Sequence, residues 1–227
     1  MRLQALHSWD LSAAAAVELQ KQLASRVVRQ GTPANVRLVA AADVAYVERA
    51  PAWAASTARA AVVVMSYPGF GVVEHHVAQA LVRFPYVPGL LSFREIPALM
   101  TALELVESSP DILLVDGHGY AHPRRMGIAC HLGLLAGIPT IGCAKSRLCG
   151  EAGEPRGTKG SVVPLIDDGE TVGSVVRTKD EVKPLFVSSG HLIGLEAAVD
   201  WVLRLAPTHR LPEPARMADR LSKGGGL

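Results

Sequence analysis

In this sequence of 227 residues, two aspartates lie within or directly after predicted buried strands, and both are candidates for a functional site. Asp43 lies in the apolar run RLVAAADVAY, residues 37–46, which predicts a strand buried on both faces. Asp116 follows a second apolar run, residues 111–115, at the point where that strand would end. An unpaired carboxylate in a buried strand is costly, so Asp43 predicts a cation or strong donors nearby. The alternatives are a hydrogen-bonded core aspartate for Asp43 and a simple turn at Asp116.

The two aspartates have no cluster of Cys or His ligands around them in the sequence, and such a carboxylate pair suits Mg²⁺ or Mn²⁺. A bound ion of this kind can activate water and stabilise a phosphate under attack. Lys145, which follows the short strand predicted over residues 140–144, can offset the developing negative charge, and His122 can place a water or move a proton. Two interpretations of Glu95 stay open, a further acid of the site or the capping-box partner of Ser92.

The segment PYVPGLL, residues 85–91, predicts a rigid loop with an aromatic side chain at its tip. Pro85 and Pro88 restrict the backbone around Tyr86, and Gly89 permits an unusual turn. An aromatic side chain held in this way is suited to insertion between stacked bases. A tyrosine packed against its own loop is the alternative.

The remaining periodicity predicts an α/β protein in which these side chains meet at strand ends. A helix from Asp10 or Ser12 to about residue 29 precedes three strands, of which the last two form a hairpin. Parallel strands alternate with helices after that, one helix starting at His122 and another at residues 188–191, and a second hairpin flanks Asp168. The strands are predicted over residues 37–46, 60–67, 71–81, 111–115, 140–144, 161–166, 172–177 and 185–187.

Composition indicates one globular domain over residues 1–227, with a glycine-rich tail from about residue 222 that we expect to be mobile. Apolar residues make up 49% and charged residues 19%, which excludes a disordered chain. No apolar run is long enough for a membrane span, so we expect a cytoplasmic protein without membrane contact. The three cysteines lack paired spacing and predict neither a disulfide framework nor a zinc site.

A formal net charge of +2 neither requires nor excludes a nucleic-acid partner. Basic residues gather at positions 124–125, at 145–147 and from 204 to 223. These groups fit phosphate contacts, and they fit solvated helix faces equally well.

Several motifs resemble the endonuclease V family of deoxyinosine-directed repair nucleases. They are PYVPGLLSFRE (85–95), VDGHGYAHPRRMGIACHLGLL (115–135), PTIGCAKSRLCG (139–150) and RLPEPARMAD (210–219). The resemblance runs from the WDL at residues 9–11 to MAD at 217–219 and implies a ribonuclease H-like fold. Such a fold has a mixed sheet of three antiparallel strands followed by parallel strands, flanked by helices, here with an added hairpin.

The resemblance also implies roles for individual residues. Asp43 and Asp116 would ligate Mg²⁺, with Mn²⁺ as a substitute, and Glu95 would be the further catalytic acid. His122 and Lys145 match positions beside the scissile phosphate. A wedge of Pro85, Tyr86, Val87 and Pro88 would hold the strands apart, and a pocket for the flipped base would be lined by Gly89, Leu91, Gly117, Gly119, Gly127 and Ile128. Position 219 is Asp where some relatives carry His, and no role is assigned to it.

The activity implied is hydrolysis of the second phosphodiester bond 3′ to deoxyinosine, leaving a 3′-hydroxyl and a 5′-phosphate. The partner would be DNA with deaminated bases, and the protein would act as a monomer. Cleavage of inosine-containing RNA, a non-catalytic binder that uses Tyr86, and a ribonuclease H or junction resolvase are the alternatives.

Overall fold

The computed structural model describes residues 1–47 and 56–227, and its centre is an eight-stranded mixed sheet. The helices are α1 (Ala13–Ala24), α2 (Leu91–Leu103), α3 (Ile128–Ala136), α4 (Leu195–Leu205) and α5 (Glu213–Ser222). The strands are β1 (Leu38–Val47), β2 (Thr57–Ser66), β3 (Val72–Leu81), β4 (Ile112–Val115), β5 (Thr140–Ala144), β6 (Val162–Asp167), β7 (Glu170–Val176) and β8 (Leu185–Ser189).

The strand order is β3-β2-β1-β4-β5-β8-β7-β6. Strands β1, β2 and β3 pair antiparallel, and β4 and β5 continue the sheet parallel to β1. The expected mixed sheet of antiparallel and then parallel strands is therefore confirmed. The second hairpin, β6 and β7, joins the same sheet because β8 pairs antiparallel with both β5 and β7.

Helices cover both faces of the sheet, and the alternation along β1 decides which face each side chain reaches. Val39 and Ala41 pack in the core under α4 and α5, whereas Ala40 and Ala42 pack in the core under α2 and α3. The same alternation directs Asp43 towards the α5 side and Tyr46 towards the α2 side. The carboxyl half of β1 therefore contributes side chains to both faces of the sheet, Asp43 to the face under α5 and Tyr46 to the face under α2.

Three predicted helix boundaries are wrong, each for a local reason. The helix expected to reach residue 29 ends at Ala24. In the segment after it, the Val28 carbonyl accepts a hydrogen bond from the backbone N–H of Leu192. The helix expected from His122 begins at Ile128, because Arg125 has a left-handed backbone (φ 55°) that no α-helix accommodates. The helix expected from residues 188–191 begins at Leu195, since residues 188–189 complete β8.

Within the described ranges, none of the helices combines the length and the apolar character that a membrane crossing requires. The single domain over residues 1–227 and the mobility of the glycine tail stay predictions.

Candidate active site

Three carboxylates meet at the carboxyl ends of the central strands. Ala42 of β1 pairs with Val115 of the parallel strand β4, so the residues that follow them, Asp43 and Asp116, emerge side by side. The backbone N–H of Asp116 donates to the Ala42 carbonyl at 3.1 Å. Asp219, from α5, completes the group, and one oxygen of each of the three carboxylates lies within 4.8 Å of the others.

Burial next to a second carboxylate perturbs the ionisation of Asp43. Its side chain is buried, with 6% exposed. Burial, and then the neighbouring Asp116, raise the pKa of Asp43 to about 7, although the hydroxyl of Ser222 donates to its carboxylate. Without a cation, the folded protein therefore holds a proton on Asp43 at pH values where an exposed aspartate is ionised.

Lys145 supplies a positive charge to the same cluster. Its ammonium lies 2.5 Å from Asp116 Oδ2 and 2.5 Å from Asp219 Oδ1. Burial alone would lower the pKa of Lys145, but the two carboxylates hold it above its ordinary value. Burial likewise opposes ionisation of Asp219, but the bonds from Lys145 and Lys223 keep its pKa below the ordinary value. The cluster is thus partly neutralised by the protein's own cation.

Glu95 lies on α2, on the same side of the sheet as Tyr46 near the end of β1. Its side chain is 7% exposed, and its Oε1 accepts a hydrogen bond of 3.0 Å from the Tyr46 hydroxyl. Burial raises the pKa of Glu95 to about 8 despite that bond, with Asp43 and Asp116 adding to the shift. The capping-box interpretation is wrong, because α2 is capped at Leu90 without a side-chain bond and the Ser92 hydroxyl pairs with His131 instead.

The loop that carries the expected wedge is anchored firmly at its base. Tyr86 projects from it with 72% of its surface exposed. Gly89 has a positive φ of 78°, and its carbonyl accepts hydrogen bonds from Gln20 Nε2 at 3.0 Å, His122 Nε2 at 3.0 Å and Arg124 Nη2 at 2.8 Å. The loop thus presents an aromatic side chain on a fixed base, and the alternative of a packed loop tyrosine is wrong.

Both ring nitrogens of His122 are engaged. Nε2 donates to the Gly89 carbonyl, and Nδ1 accepts a bond of 3.0 Å from the backbone N–H of Arg124. Burial lowers the pKa of His122 to about 4, so the ring is neutral at physiological pH. In this geometry His122 fixes the wedge loop to the loop after β4.

A cavity of about 420 Å³ lies between the wedge loop and the carboxylates. All five expected catalytic residues line it: Asp43, Glu95, Asp116, His122 and Lys145. Most of the expected lesion-binding residues line it too: Tyr86, Val87, Pro88, Gly89, Leu91, Gly117, Gly127 and Ile128. Its size falls within the usual range for small-ligand sites.

Two of the expected lesion-binding residues, Pro85 of the wedge and Gly119 of the base pocket, are not part of the cavity lining. Pro85 borders a separate groove on the other side of the wedge loop, together with Trp9 and Phe84. Gly119 is buried behind the lining, where a Cβ would lie 2.1 Å from the Ser189 carbonyl oxygen. Gly117 does line the cavity, with a φ of 146° and with Ile128 too close for any side chain. Gly119 therefore serves close packing between the loop and β8.

The residues missed by sequence reasoning come from distant segments. Asp219 and Ser222 reach the cluster from α5, Gln20 reaches the wedge loop from α1, and Tyr46 reaches Glu95 across the edge of the cavity. Gln20 and Ser222 are polar side chains that are almost fully buried, with 1% and 2% exposed, and this burial indicates a role. It is visible only in the structure, so no signal for these two residues could be read from the sequence.

An acidic cluster at the centre of a mixed sheet, beside a lysine and an open cavity, is typical of ribonuclease H-like nucleases, and this is the class that the fold and the site define. The sequence profile of the Endonuclease V family matches residues 21–220. The chain therefore belongs to the Endonuclease V family and is an endonuclease. This confirms the expected family and excludes the non-catalytic binder.

Individual relatives agree with this assignment. Endonuclease V of Gloeobacter violaceus is 51% identical over 219 residues, covering 96% of this chain and 88% of that protein. The crystal structure of endonuclease V from Bacillus subtilis superposes with a TM-score of 0.92 at 31% identity, covering 98% and 96% of the two chains. Endonuclease V of Ciona intestinalis, in complex with a 24mer DNA containing an inosine followed by a ribo-adenosine, has a TM-score of 0.80 at 30% identity, covering 92% and 95%.

Proposed function

We propose that this protein is a metal-dependent DNA endonuclease that recognises deoxyinosine and related deaminated bases. It hydrolyses the second phosphodiester bond 3′ to the lesion and leaves a 3′-hydroxyl and a 5′-phosphate. The observation that carries the proposal is the cavity itself, which is lined by Asp43 and Asp116 on one side and by the exposed Tyr86 on another, with Asp219 clustered beside the two aspartates. The inosine-containing DNA bound by the Ciona intestinalis relative supports the choice of substrate.

The carboxylates fit a divalent cation. Their oxygens lie close enough together to share one ion, and the raised pKa of Asp43 reflects the cost of burying its charge, and then of placing it beside Asp116, which such an ion would offset. Asp43 and Asp116 would hold it, and Asp219 is placed to join them. Oxygen ligands favour Mg²⁺, with Mn²⁺ as a substitute. When bound, the ion would lower the pKa of an attacking water and stabilise charge on the phosphate.

Side chains of the protein supply charge stabilisation, proton transfer and separation of the DNA strands. Lys145, held at 2.5 Å from Asp116, places a positive charge beside the phosphate. Glu95, with a pKa of about 8, is suited to proton transfer near neutral pH. Tyr86 inserts between the strands, while Gln20, His122 and Arg124 keep its loop in place.

Base recognition would use the glycine-rich wall of the cavity. Hypoxanthine carries a carbonyl where adenine carries an amine, so backbone N–H groups in this glycine-rich wall, near Gly89 and Gly117, would favour it. A mismatched inosine pair is also cheaper to open than a normal pair, which adds to the selectivity.

The test is a nicking assay on a duplex with one deoxyinosine and on the matched deoxyadenosine duplex, with Mg²⁺ and with a chelator. We expect one nick at the second bond 3′ to the lesion, in the inosine duplex and with Mg²⁺ only. Asp43→Ala and Asp116→Ala should abolish it, while Asp168→Asn, an exposed turn residue, should not. Cleavage that persists with the chelator, or that occurs at another bond, would contradict the proposal.

Cleavage of inosine-containing RNA is the second candidate. The ribo-adenosine that follows inosine in the Ciona intestinalis complex favours it, because that protein binds a ribonucleotide on the 3′ side of inosine. Matched DNA and RNA oligonucleotides with one inosine distinguish the two, and cleavage of RNA alone would exclude a role in DNA repair. The monomeric state and the cytoplasmic location stay predictions.

A further inference from the structure

A chain of hydrogen bonds connects the wedge loop to Glu95. Arg94 Nη1 donates to the carbonyl of Phe84 at 2.7 Å, and Phe84 immediately precedes the wedge residues 85–88. Arg94 Nε donates to the Tyr46 hydroxyl at 3.1 Å. The Tyr46 hydroxyl in turn donates to Glu95 Oε1 at 3.0 Å.

The chemistry of these groups fixes the direction of the chain. A guanidinium can only donate, so the Tyr46 oxygen accepts from Arg94 and its single proton is directed to Glu95. The Arg94 guanidinium carbon also lies 4.9 Å from the centre of the Tyr46 ring, which restricts the ring. Among the residues that the structure describes, no other side chain donates to the Glu95 carboxylate.

We propose that Tyr46 is the positioning residue for Glu95 and that Arg94 couples this position to the wedge loop. The inference rests on the proposed function, in which Glu95 acts beside the scissile phosphate. Arg94 and Glu95 are consecutive on α2, so one turn of helix reaches both the base of the wedge loop and the reaction cavity.

The coupling has a direct consequence for catalysis. The wedge loop is held through the Gly89 carbonyl at one end and through the Phe84 carbonyl at the other. When Tyr86 enters the DNA, any shift of the loop at Phe84 is transmitted to Arg94, to the Tyr46 hydroxyl and to the Glu95 carboxylate. Insertion at the lesion and orientation of the catalytic acid are therefore linked events.

The first test is Tyr46→Phe, which keeps the ring and removes only the donor. We expect the nicking rate on an inosine duplex, measured in a single turnover with saturating enzyme, to fall by about tenfold, as for loss of one well-placed hydrogen bond. The Kd for the duplex and the Tm of the protein should not change. Tyr67→Phe is the matched control, since that ring packs on Phe70 and Trp201 at the opposite end of β2.

An unchanged rate in Tyr46→Phe would overturn the inference. So would a loss of rate that is fully matched by weaker DNA binding or by unfolding. The proposed function is tested separately by the wild-type protein. If the wild type nicks inosine DNA and Tyr46→Phe does so equally fast, only the positioning role fails.

The second test addresses the coupling through Arg94. Arg94→Lys keeps the charge but not the two donors that the guanidinium holds in one plane. We expect it to lower the single-turnover rate to a similar extent, and the double variant with Tyr46→Phe to be no slower than the slower single variant. Rate losses that multiply in the double variant would show that the two residues act independently and would refute the coupling.

Discussion

Replacing Asp43 with asparagine should stabilise the metal-free protein at neutral and higher pH. The wild-type carboxyl is 6% exposed, and burial and the adjacent Asp116 raise its pKa to about 7 from an ordinary 3.8. Asparagine has nearly the same shape, and its side-chain carbonyl still accepts the hydrogen bond from Ser222. The substitution therefore removes the charge and little else.

The magnitude follows from the pKa difference between the folded and unfolded states. Each pH unit of that difference corresponds to about 1.4 kcal/mol, so ionisation of Asp43 costs the folded state up to about 4 kcal/mol. Because the folded state binds this proton more tightly, its contribution to stability is present below about pH 4 and is lost as the pH rises through about 7. Between pH 5 and pH 8 the free energy of unfolding should shift in favour of Asp43→Asn by about 3 kcal/mol.

The assay is urea unfolding of the wild type and of Asp43→Asn from pH 5 to pH 8 in the presence of a chelator. Asp168→Asn serves as the control, since it removes an exposed carboxylate at a turn and should follow the wild type. Added Mg²⁺ should flatten the pH dependence of the wild type and leave Asp43→Asn almost unaffected. A constant difference in the free energy of unfolding between wild type and Asp43→Asn across the pH range would refute the inference that the ionised Asp43 is destabilised by its burial and by Asp116.

Three further predictions concern the reaction. Tyr86→Ala should weaken binding of inosine DNA by about tenfold or more, the usual contribution of one stacked aromatic, while Mg²⁺ binding measured by calorimetry stays the same. Equal nicking kinetics for that variant and the wild type would exclude the wedge role. Glu95→Gln should slow nicking by about 100-fold with little change in Tm, whereas a purely structural glutamate would lower the Tm and spare the rate of the folded fraction. Raising the salt from about 50 to about 200 mM should weaken DNA binding at least tenfold, and a flat salt profile would mean that the basic residues do not contact phosphates.

The meeting of Asp43 and Asp116 was predictable because it depends on local patterns. Two short apolar runs predict buried strands, and the crossover rule makes the second parallel to the first. The carboxyl ends of parallel neighbours lie at one edge, where the structure places both aspartates. The rigidity of the loop around Tyr86 was predictable for the same reason, since its prolines and Gly89 act on their own backbone.

Glu95 shows where local patterns mislead. Its spacing from Ser92 fits a capping box, but the N-cap of α2 is Leu90, two residues too early for that cap. Both side chains are then free for long-range partners, Ser92 for His131 and Glu95 for Tyr46. The helix expected from His122 begins only at Ile128, because the segment between them is fixed by contacts of Arg124 with the wedge loop and of Arg125 with β6 and β7.

The sequence by itself determined the order of strands and helices along the chain, one aspartate within a buried strand and another at the end of the next, and the proline-restricted loop that carries Tyr86, because each depends on neighbours within about one element of the chain. Only the tertiary structure decided that α5 would bring Asp219 and Ser222 to Asp43, and that α1 would bring Gln20 to Gly89. Those contacts span 69 residues in the case of Gln20 and 179 residues in the case of Ser222. They depend on which faces of the sheet and helices are buried together, and no local pattern in the sequence encodes that pairing.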